Sequence, residues 1–280
     1  MKRIELRGEG MIEKVISEFK RCSEVEAIAL GGSRGSGKGD EYSDYDIYIY
    51  LTGDLDRERR REILERYCTY MEVGNQFWEE EDDCILNNGI DMELIYRRIE
   101  DIEGNLRYVV DSCGSCMGYT TCFWENVVNS KILYDRTGRL GELAEKYRVE
   151  YPEELKRNIV EKNHRLLKDY MPSLYYQIEK SIKRNDLVAI NHRLTEFLAL
   201  YFDIIYALNG EKHRGEKRML EITREFALLP ENYEDLIEDL FKFIYRDNSK
   251  FLITLDRICH NLYNLLKKEG YDVTFESYGE

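Results

Sequence analysis

The pattern of apolar and polar positions changes about halfway along the chain. In the first half, residues 25–30, 46–51 and 90–96 are short apolar or alternating runs, rich in β-branched and aromatic residues, which predict strands. Residues 10–21 instead place apolar side chains at helical spacing. From about Tyr151 onward the apolar periodicity is helical only. Helices are predicted there over residues 152–181, 185–209, 215–228, 232–246 and 249–268.

The remaining segments of the first half connect these elements. Residues 31–39 are rich in glycine and predict a loop, whereas the charged segment 56–70 predicts a helix. Residues 71–78 suit a third strand, and we expect the acidic run from Glu79 to Asp83 to be a solvated loop. Further helices are predicted over residues 98–111, 121–131 and 138–147.

The change of pattern indicates two domains of different class. Only three prolines occur in 280 residues, which favours long helices. Pro152 suits the first turn of the first helix of the second half. We therefore predict an α+β fold with a first domain over residues 1–148, containing a sheet, and an all-α helical bundle over residues 149–280.

The charge balance narrows the class of partner. The formal net charge is −14, whereas proteins that bind long nucleic acid usually present a basic surface to the phosphates. A long nucleic acid is therefore not the expected partner. A small substrate suits this composition better, and the field of the protein would attract a cationic small molecule.

The cysteines and the N-terminus bear on the compartment. Seven cysteines at irregular spacing do not predict a disulfide framework. The Cys113–Cys116 pair is a lone CxxC without a second ligand pair, and we interpret it as incidental. The chain begins with charged residues and has no apolar stretch long enough to span a bilayer. We expect a cytoplasmic protein without a membrane partner.

Residues 30–50 hold the residues with the clearest chemistry. The predicted strand 25–30 ends at a Gly-Gly-Ser turn, and the strand 46–51 is preceded by Asp44-Tyr45-Asp46. Positions i and i+2 of a strand point to the same side, so Asp44 and Asp46 present two carboxylates to one place. Two like charges so close need neutralisation, and Mg²⁺ prefers carboxylate oxygens together with substrate phosphates. This pattern predicts a metal site.

The glycine turn suits the same substrate. Glycine allows the backbone to approach an anion closely, and its N–H groups can bind phosphate oxygens. The Ser33 hydroxyl can donate one more hydrogen bond. A phosphate-binding turn and a metal-binding strand therefore meet at neighbouring strand ends.

Gly32-Ser33, followed after ten residues by Asp44-Tyr45-Asp46-Ile47, resembles the signature of the nucleotidyltransferase superfamily typified by DNA polymerase beta. The Gly32 to Arg34 beginning and the Ser43 to Asp46 form resemble its small bacterial members, which include antibiotic and minimal nucleotidyltransferases. The resemblance implies a mixed-sheet catalytic domain over residues 1–148. It implies that the bundle over residues 149–280 lies on the acceptor side.

The resemblance also implies a third carboxylate on a neighbouring strand. Glu93 lies where such enzymes carry it, and Asp91, two residues earlier on the same face, is the alternative. The stretch from Tyr206 to Arg218 resembles the helical domain of an uncharacterised bacterial group of these enzymes. By that likeness, Lys217 reaches nucleotide phosphates, although a solvated lysine at a helix start is an equal interpretation. Arg34 is either a phosphate or substrate contact or a surface loop residue.

The implied reaction moves a nucleoside monophosphate, AMP from ATP or another nucleotide from its triphosphate, to an acceptor hydroxyl with release of pyrophosphate. Two Mg²⁺ ions would bind the catalytic carboxylates, and Glu196 is the candidate general base. The predicted metal ligands are Asp44, Asp46 and Glu93. The predicted nucleotide-binding residues are Gly32, Ser33, Arg34, Ser43 and Lys217.

Three functions compete. The first is transfer to a small molecule such as an aminoglycoside- or lincosamide-like antibiotic. The second is a protein AMPylase or antitoxin-like transferase that acts on a partner protein, and the third is a nucleotide sensor without activity, against which the intact carboxylates argue. The Arg157/His164 spacing resembles that of toxin-type helical ribonucleases, but such a spacing arises easily in a charged helix.

Overall fold

The computed structural model describes residues 9–35, 37, 43–77 and 79–273. The chain divides into two compact units. The first unit comprises the residues up to 107 together with 123–149, and the second comprises 108–122 together with 150 onward. The domain boundary after residue 148 stays a prediction.

One mixed sheet organises the first unit. In the described part of the chain, six strands pair in the order β3-β4-β5-β2-β1-β6. The central pair, β2 and β5, is parallel, and the other neighbouring pairs are antiparallel. The predicted α+β class with a mixed sheet is thereby confirmed. The strands are β1 (Val25–Leu30), β2 (Tyr45–Leu51), β3 (Cys68–Asn75), β4 (Glu80–Leu86), β5 (Asp91–Arg97) and β6 (Lys131–Asp135).

The alternation of buried and half-buried side chains along β2 and β5 gives the sheet two different faces. On one face, Ile47 and Leu94 pack in a fully buried core with apolar side chains of two helices, such as Phe19 and Ile63. The other face carries Asp46 and the polar side chains that follow it at every second position. The helices are α1 (Glu9–Phe19), α2 (Gly32–Gly35), α3 (Arg57–Leu64), α4 (Ile99–Leu106), α5 (Cys122–Asn129) and α6 (Arg139–Lys146).

For the acidic run, the predicted secondary structure was wrong. The segment predicted as a solvated loop forms most of β4, and Asp82 within it is fully buried. Asp82 accepts hydrogen bonds from the Gly74 N–H at 2.7 Å and the Tyr96 hydroxyl at 2.6 Å, and Arg60 Nη1 lies 3.6 Å away. A charged residue is tolerated in a buried strand because these tertiary partners satisfy its carboxylate.

The second unit is helical in its described residues beyond 150. α7 and α8 pack on α9, whose last ten residues are almost entirely buried, and α11 packs on α12. The helices are α7 (Glu153–His164), α8 (Leu174–Lys183), α9 (Leu187–Leu208), α10 (Met219–Thr223), α11 (Tyr233–Phe243) and α12 (Asn248–Lys268). Two π-helical turns, Arg107–Asp111 and Arg165–Asp169, extend α4 and α7.

Two predicted helices are shorter than their patterns indicated. The segment 152–181 is interrupted between the second π-helical turn and α8, around Pro172, because proline lacks the N–H that a continuous helix requires. The segment 215–228 is helical only over α10. β6 was not predicted: the predicted helix 121–131 reaches only its first residue, and residues 132–135 were assigned to no element. No helix in the described ranges is long and apolar enough to cross a membrane.

Candidate active site

The glycine turn is fixed directly on the start of β2. The Gly31 N–H donates to the Asp46 carbonyl at 2.8 Å, and the Gly35 N–H donates to the Gly31 carbonyl at 2.8 Å. Gly32 has a φ of +58°, and a Cβ atom on it would lie 1.7 Å from Asp46 Oδ2. Only glycine allows both this backbone conformation and this approach of the carboxylate. The predicted loop therefore begins with a short helical turn, α2, closed against Asp46.

We predict that Gly32→Ala severely impairs the site. The added methyl group displaces the Asp46 carboxylate, and the left-handed backbone costs a further ~1 kcal/mol. A displacement of about 1 Å at reacting groups can cost roughly 10²-fold in rate, and we expect a loss of that order in nucleotide transfer. The matched control is Gly37→Ala, because Gly37 has a φ of +73° but no atom within 4 Å of the added methyl group. Equal losses in both variants would show that the contact with Asp46 is unimportant.

The strand register brings two of the predicted carboxylates together. Asp46 of β2 is paired directly with Glu93 of β5 in the parallel ladder, and both side chains are half-buried. Asp44 immediately precedes β2 and is also half-buried. Asp91 begins β5 two residues before Glu93 and is exposed. The register therefore places Glu93, and not Asp91, beside Asp46.

The row of carboxylates continues across the sheet, which the sequence did not reveal. Asp83 of β4 is paired with Glu93, and Glu72 of β3 is paired with Asp83. Asn75 Nδ2 donates to Asp83 Oδ2 at 2.5 Å and to Glu72 Oε2 at 3.1 Å. Asp83 was overlooked because its segment was predicted as a loop. The site therefore contains more carboxylates than the sequence motif indicated.

Arg34 binds the protein's own backbone. Its Nε donates to the Ser43 carbonyl at 2.8 Å and to the Asp44 carbonyl at 3.1 Å, and its guanidinium lies 4.3 Å from the Tyr45 ring centre. These contacts tie α2 to the residues that precede β2. Arg34 thus positions Asp44, and contact with a phosphate stays a prediction.

Tyr48 and Arg97 lie on the same face of the sheet as Asp46, further along β2 and β5. The Arg97 guanidinium lies 4.2 Å from the Tyr48 ring centre and makes two hydrogen bonds to Glu79, at 2.6 and 2.7 Å. Burial raises the pKa of Tyr48 to about 12, so its phenol stays neutral. A Cβ on Gly31 would lie 2.3 Å from the Tyr48 ring. This contact explains why position 31, like position 32, is a glycine.

The donor set fits a magnesium ion that is completed by its substrate. Among the residues that the structure describes, no group of three or more His, Cys, Asp or Glu side chains is arranged to hold a metal ion. Mg²⁺ is commonly bound through one or two carboxylates, with substrate phosphates and water as the other ligands. Asp46 and Glu93, on neighbouring parallel strands, provide two such carboxylates.

The other predicted residues belong to the second unit. Lys217 lies in an exposed turn of the second unit, and Glu196 is exposed on α9, where it accepts a hydrogen bond from Arg193 at 2.7 Å. Their roles stay predictions. His164 is buried, and its Nδ1 lies 2.7 Å from the Val160 carbonyl, an arrangement typical of a packed helix residue.

The first unit also contains a cavity that the candidate carboxylates do not line. It has a volume of about 470 Å³ and is lined by residues that include Asp54, Arg57 and Arg98. These residues follow the carboxyl ends of β2 and β5, or lie on α3. The carboxylates lie at the opposite ends of the same two strands, so this cavity is not the candidate site.

Comparison with protein families gives two matches, and the second of them covers part of the first unit. Residues 13–106 match the family described as polymerase beta, nucleotidyltransferase. Residues 122–217 match a family described only as a domain of unknown function (DUF4037). The first match contains the glycine turn and the carboxylates, and it confirms the resemblance drawn from residues 30–50.

Solved structures show distant likenesses only, and no curated protein matches. A nucleotidyltransferase-like protein from Exiguobacterium sibiricum is 12% identical with a TM-score of 0.42, over 93% of this chain and 74% of that one. An aminoglycoside 6-adenyltransferase from Bacillus subtilis is 12% identical with a TM-score of 0.35, over 94% and 91% of the two chains. A CCA-adding enzyme from Thermotoga maritima is 12% identical with a TM-score of 0.32, over 99% and 86%. These values are too low for any residue's role to be transferred.

Proposed function

We propose that this chain, which carries a nucleotidyltransferase domain of the polymerase beta type and is therefore a transferase, moves a nucleoside monophosphate to a hydroxyl of a small-molecule acceptor. The nucleotide is AMP from ATP, and pyrophosphate is released. The observation that carries the proposal is the pairing of Asp46 with Glu93 beside a turn in which only glycine fits.

Each residue has a proposed task. The backbone of Gly32 and the hydroxyl of Ser33 bind phosphate oxygens of the triphosphate, because this turn can approach an anion closely. Asp44, Asp46 and Glu93 would hold two Mg²⁺ ions, which when bound neutralise phosphate charge and lower the pKa of the acceptor hydroxyl. Arg34 and Ser43 keep Asp44 in place through the hydrogen bond between them. Lys217 is proposed as a further phosphate contact.

The acidity of the site favours a cationic acceptor. Asp83 and Glu72 extend the row of carboxylates beyond Glu93, and the net charge of the chain is −14. Negative charge of this extent raises the local concentration of cations and repels polyanions. We therefore propose an acceptor with several amino groups, such as an aminoglycoside-like compound, over a lincosamide-like one, which carries less positive charge.

The decisive experiment incubates the full chain with labelled ATP, Mg²⁺ and a panel of aminoglycosides, lincosamides and candidate proteins. We expect labelled adenylate on a polyamine-like small molecule and stoichiometric pyrophosphate release. The Asp44→Ala/Asp46→Ala double variant should transfer nothing. Labelling of proteins alone would favour an AMPylase, and transfer by the double variant at the wild-type rate would exclude the proposed site.

A further inference from the structure

A groove in the second unit is built from elements that the proposed transfer does not use. It has a volume of about 670 Å³, within the range of small-molecule sites. One wall is the segment from Tyr108 to Ser115, and the other is the end of α7 with the π-helical turn that follows it. We call it the Tyr108–Tyr170 groove, and its lining includes Ser112, Asn158, Lys162 and Arg165.

Two tyrosines expose aromatic surface to this groove. Tyr108 is 50% exposed and Tyr170 is 47% exposed. The Tyr170 hydroxyl accepts a hydrogen bond from Arg165 Nη1 at 2.5 Å, and the guanidinium lies 5.4 Å from the ring centre. A tyrosine held in this way offers a flat face at low cost in conformational entropy, which is a property of residues that stack on planar ligands.

Positive charge is concentrated beside these rings. Lys162 and Arg165 are three residues apart, at the end of α7 and the start of the π-helical turn, so they lie on the same side of the helix. Both line the groove, together with one acidic residue, Glu161. In a chain of net charge −14, this local excess of cations is suited to an anion.

The wall opposite the cations is held in place before any ligand binds. Lys162 Nζ donates to the Ser115 carbonyl at 2.6 Å, and Asn158 Nδ2 donates to the Cys113 carbonyl at 2.9 Å. The Tyr108 ring packs on Gly114, where a Cβ atom would lie 2.4 Å from the ring. These contacts reduce the ordering that binding would otherwise require.

The backbone of both walls has an uncommon conformation. Arg107–Asp111 and Arg165–Asp169 are π-helical turns, and each contributes a tyrosine or a cation to the groove. π-helical turns are rare and occur frequently at functional sites. That both π-helical turns of the described residues border one groove is a second observation, independent of its charge.

From these features we propose that the Tyr108–Tyr170 groove binds a nucleoside monophosphate. The base stacks on Tyr170, the phosphate binds Arg165 and Lys162, and Glu161 accepts a hydrogen bond from a ribose hydroxyl. The site consists wholly of residues of the second unit, whereas the carboxylates of the proposed transfer belong to the first. Its occupancy therefore does not depend on the transfer reaction.

The test measures binding of AMP by calorimetry, without Mg²⁺, to the full-length Asp44→Ala/Asp46→Ala variant. Adenosine and inorganic phosphate are measured separately. We expect AMP to bind and to protect peptides covering 108–115 and 162–170 from hydrogen exchange. Adenosine and inorganic phosphate should each bind at least about tenfold more weakly than AMP. Because Mg²⁺ is omitted and the substituted carboxylates lie outside the groove, the result does not depend on whether the proposed transfer is correct.

Substitutions at the groove identify the contacts. Tyr170→Ala and Arg165→Ala should each weaken AMP binding by about tenfold or more, whereas Tyr170→Phe, which keeps the ring, should stay within about threefold of the unsubstituted affinity. Tyr245→Ala is the matched control, because Tyr245 is 49% exposed and does not line the groove. Unchanged binding in both alanine variants, equal loss in the Tyr245 control, or protection confined to other peptides would overturn the proposal.

Discussion

Asp46→Asn is expected to lower the rate of nucleotide transfer by about 10³-fold, since the variant loses a charge at the centre of the electrostatic stabilisation. The amide keeps the shape of the carboxylate, so the contact with Gly32 is retained. In the variant, the negatively charged Glu93 is paired with a neutral asparagine instead of a second carboxylate. Because repulsion between the two side chains is relieved, the melting temperature should not fall. The measurements are kcat and kcat/KM for ATP over a series of Mg²⁺ concentrations.

Two further variants decide which acidic residue of β5 takes part. Glu93→Gln should cause a loss similar to that of Asp46→Asn, because the register places Glu93 directly opposite Asp46. Asp91→Asn should have little effect, since Asp91 is exposed at the start of the strand. Asp54→Asn, at a side chain that is 99% exposed beyond the far end of β2, controls for a general effect of net charge. The reverse order of losses would assign the third carboxylate to Asp91.

The largest effects on stability are expected from His213 and Asp203, and both depend on pH. Burial lowers the pKa of His213 to about 4 from 6.5, and its Nδ1 accepts a hydrogen bond from the Gly215 N–H at 3.1 Å. The unfolded chain binds a proton here at higher pH than the folded one, so stability is lost as the pH falls from 6.5 through 4. The full difference corresponds to about 3 kcal/mol.

Asp203, in the same unit, acts in the opposite direction. Burial raises the pKa of Asp203 to about 6 from 3.8, although hydrogen bonds from Thr120 and Asn163 oppose the change. The folded chain keeps this proton at higher pH than the unfolded one. Stability is therefore lost as the pH rises from 3.8 through 6, by about 3 kcal/mol in full. Between pH 4 and 6 the two residues change the free energy of unfolding in opposite directions, so that its dependence on pH largely cancels.

Two variants separate these contributions in urea unfolding followed from pH 4 to 7.5. His213→Asn, which can still accept from the Gly215 N–H, should become more stable towards acid relative to wild type. Asp203→Asn should become less stable towards acid, because the His213 contribution is then unopposed. His192→Asn, at an exposed histidine on α9, should follow the wild-type pH profile. Parallel profiles for all four proteins would exclude the assignment.

The local part of the candidate site could be predicted from the sequence because it depends on neighbours in the chain. The turn after β1 and the start of β2 are short segments whose residue types allow few conformations. The spacing of Asp44 and Asp46 places both on one side of a strand. The division into a sheet-containing half and a helical half was equally accessible, since a strand and a helix bury side chains with different periods.

The parts that could not be predicted depend on pairing between distant segments. The sequence permitted Glu93 or Asp91 beside Asp46, and only the register of β2 and β5 shows that Glu93 is paired with Asp46. Which of the two takes part in transfer stays a prediction. β4 is acidic, so its strand character depends on Arg60 and Tyr96, which neutralise and satisfy Asp82. The segment 108–122 packs with the second unit because Thr120 donates hydrogen bonds to Asp203, 83 residues later.

What the sequence by itself determined is a motif, a glycine turn followed by Asp44 and Asp46 that resembles the nucleotidyltransferase signature, and the α+β class of the fold that carries it. What only the tertiary structure decided is which acidic residues meet, what Arg34 binds, and where the Tyr108–Tyr170 groove lies. The physical reason is that residue type and spacing act over a few positions, where the covalent geometry limits the outcome. Strand register and helix packing are decided by the burial and the hydrogen bonds of residues far apart in the chain.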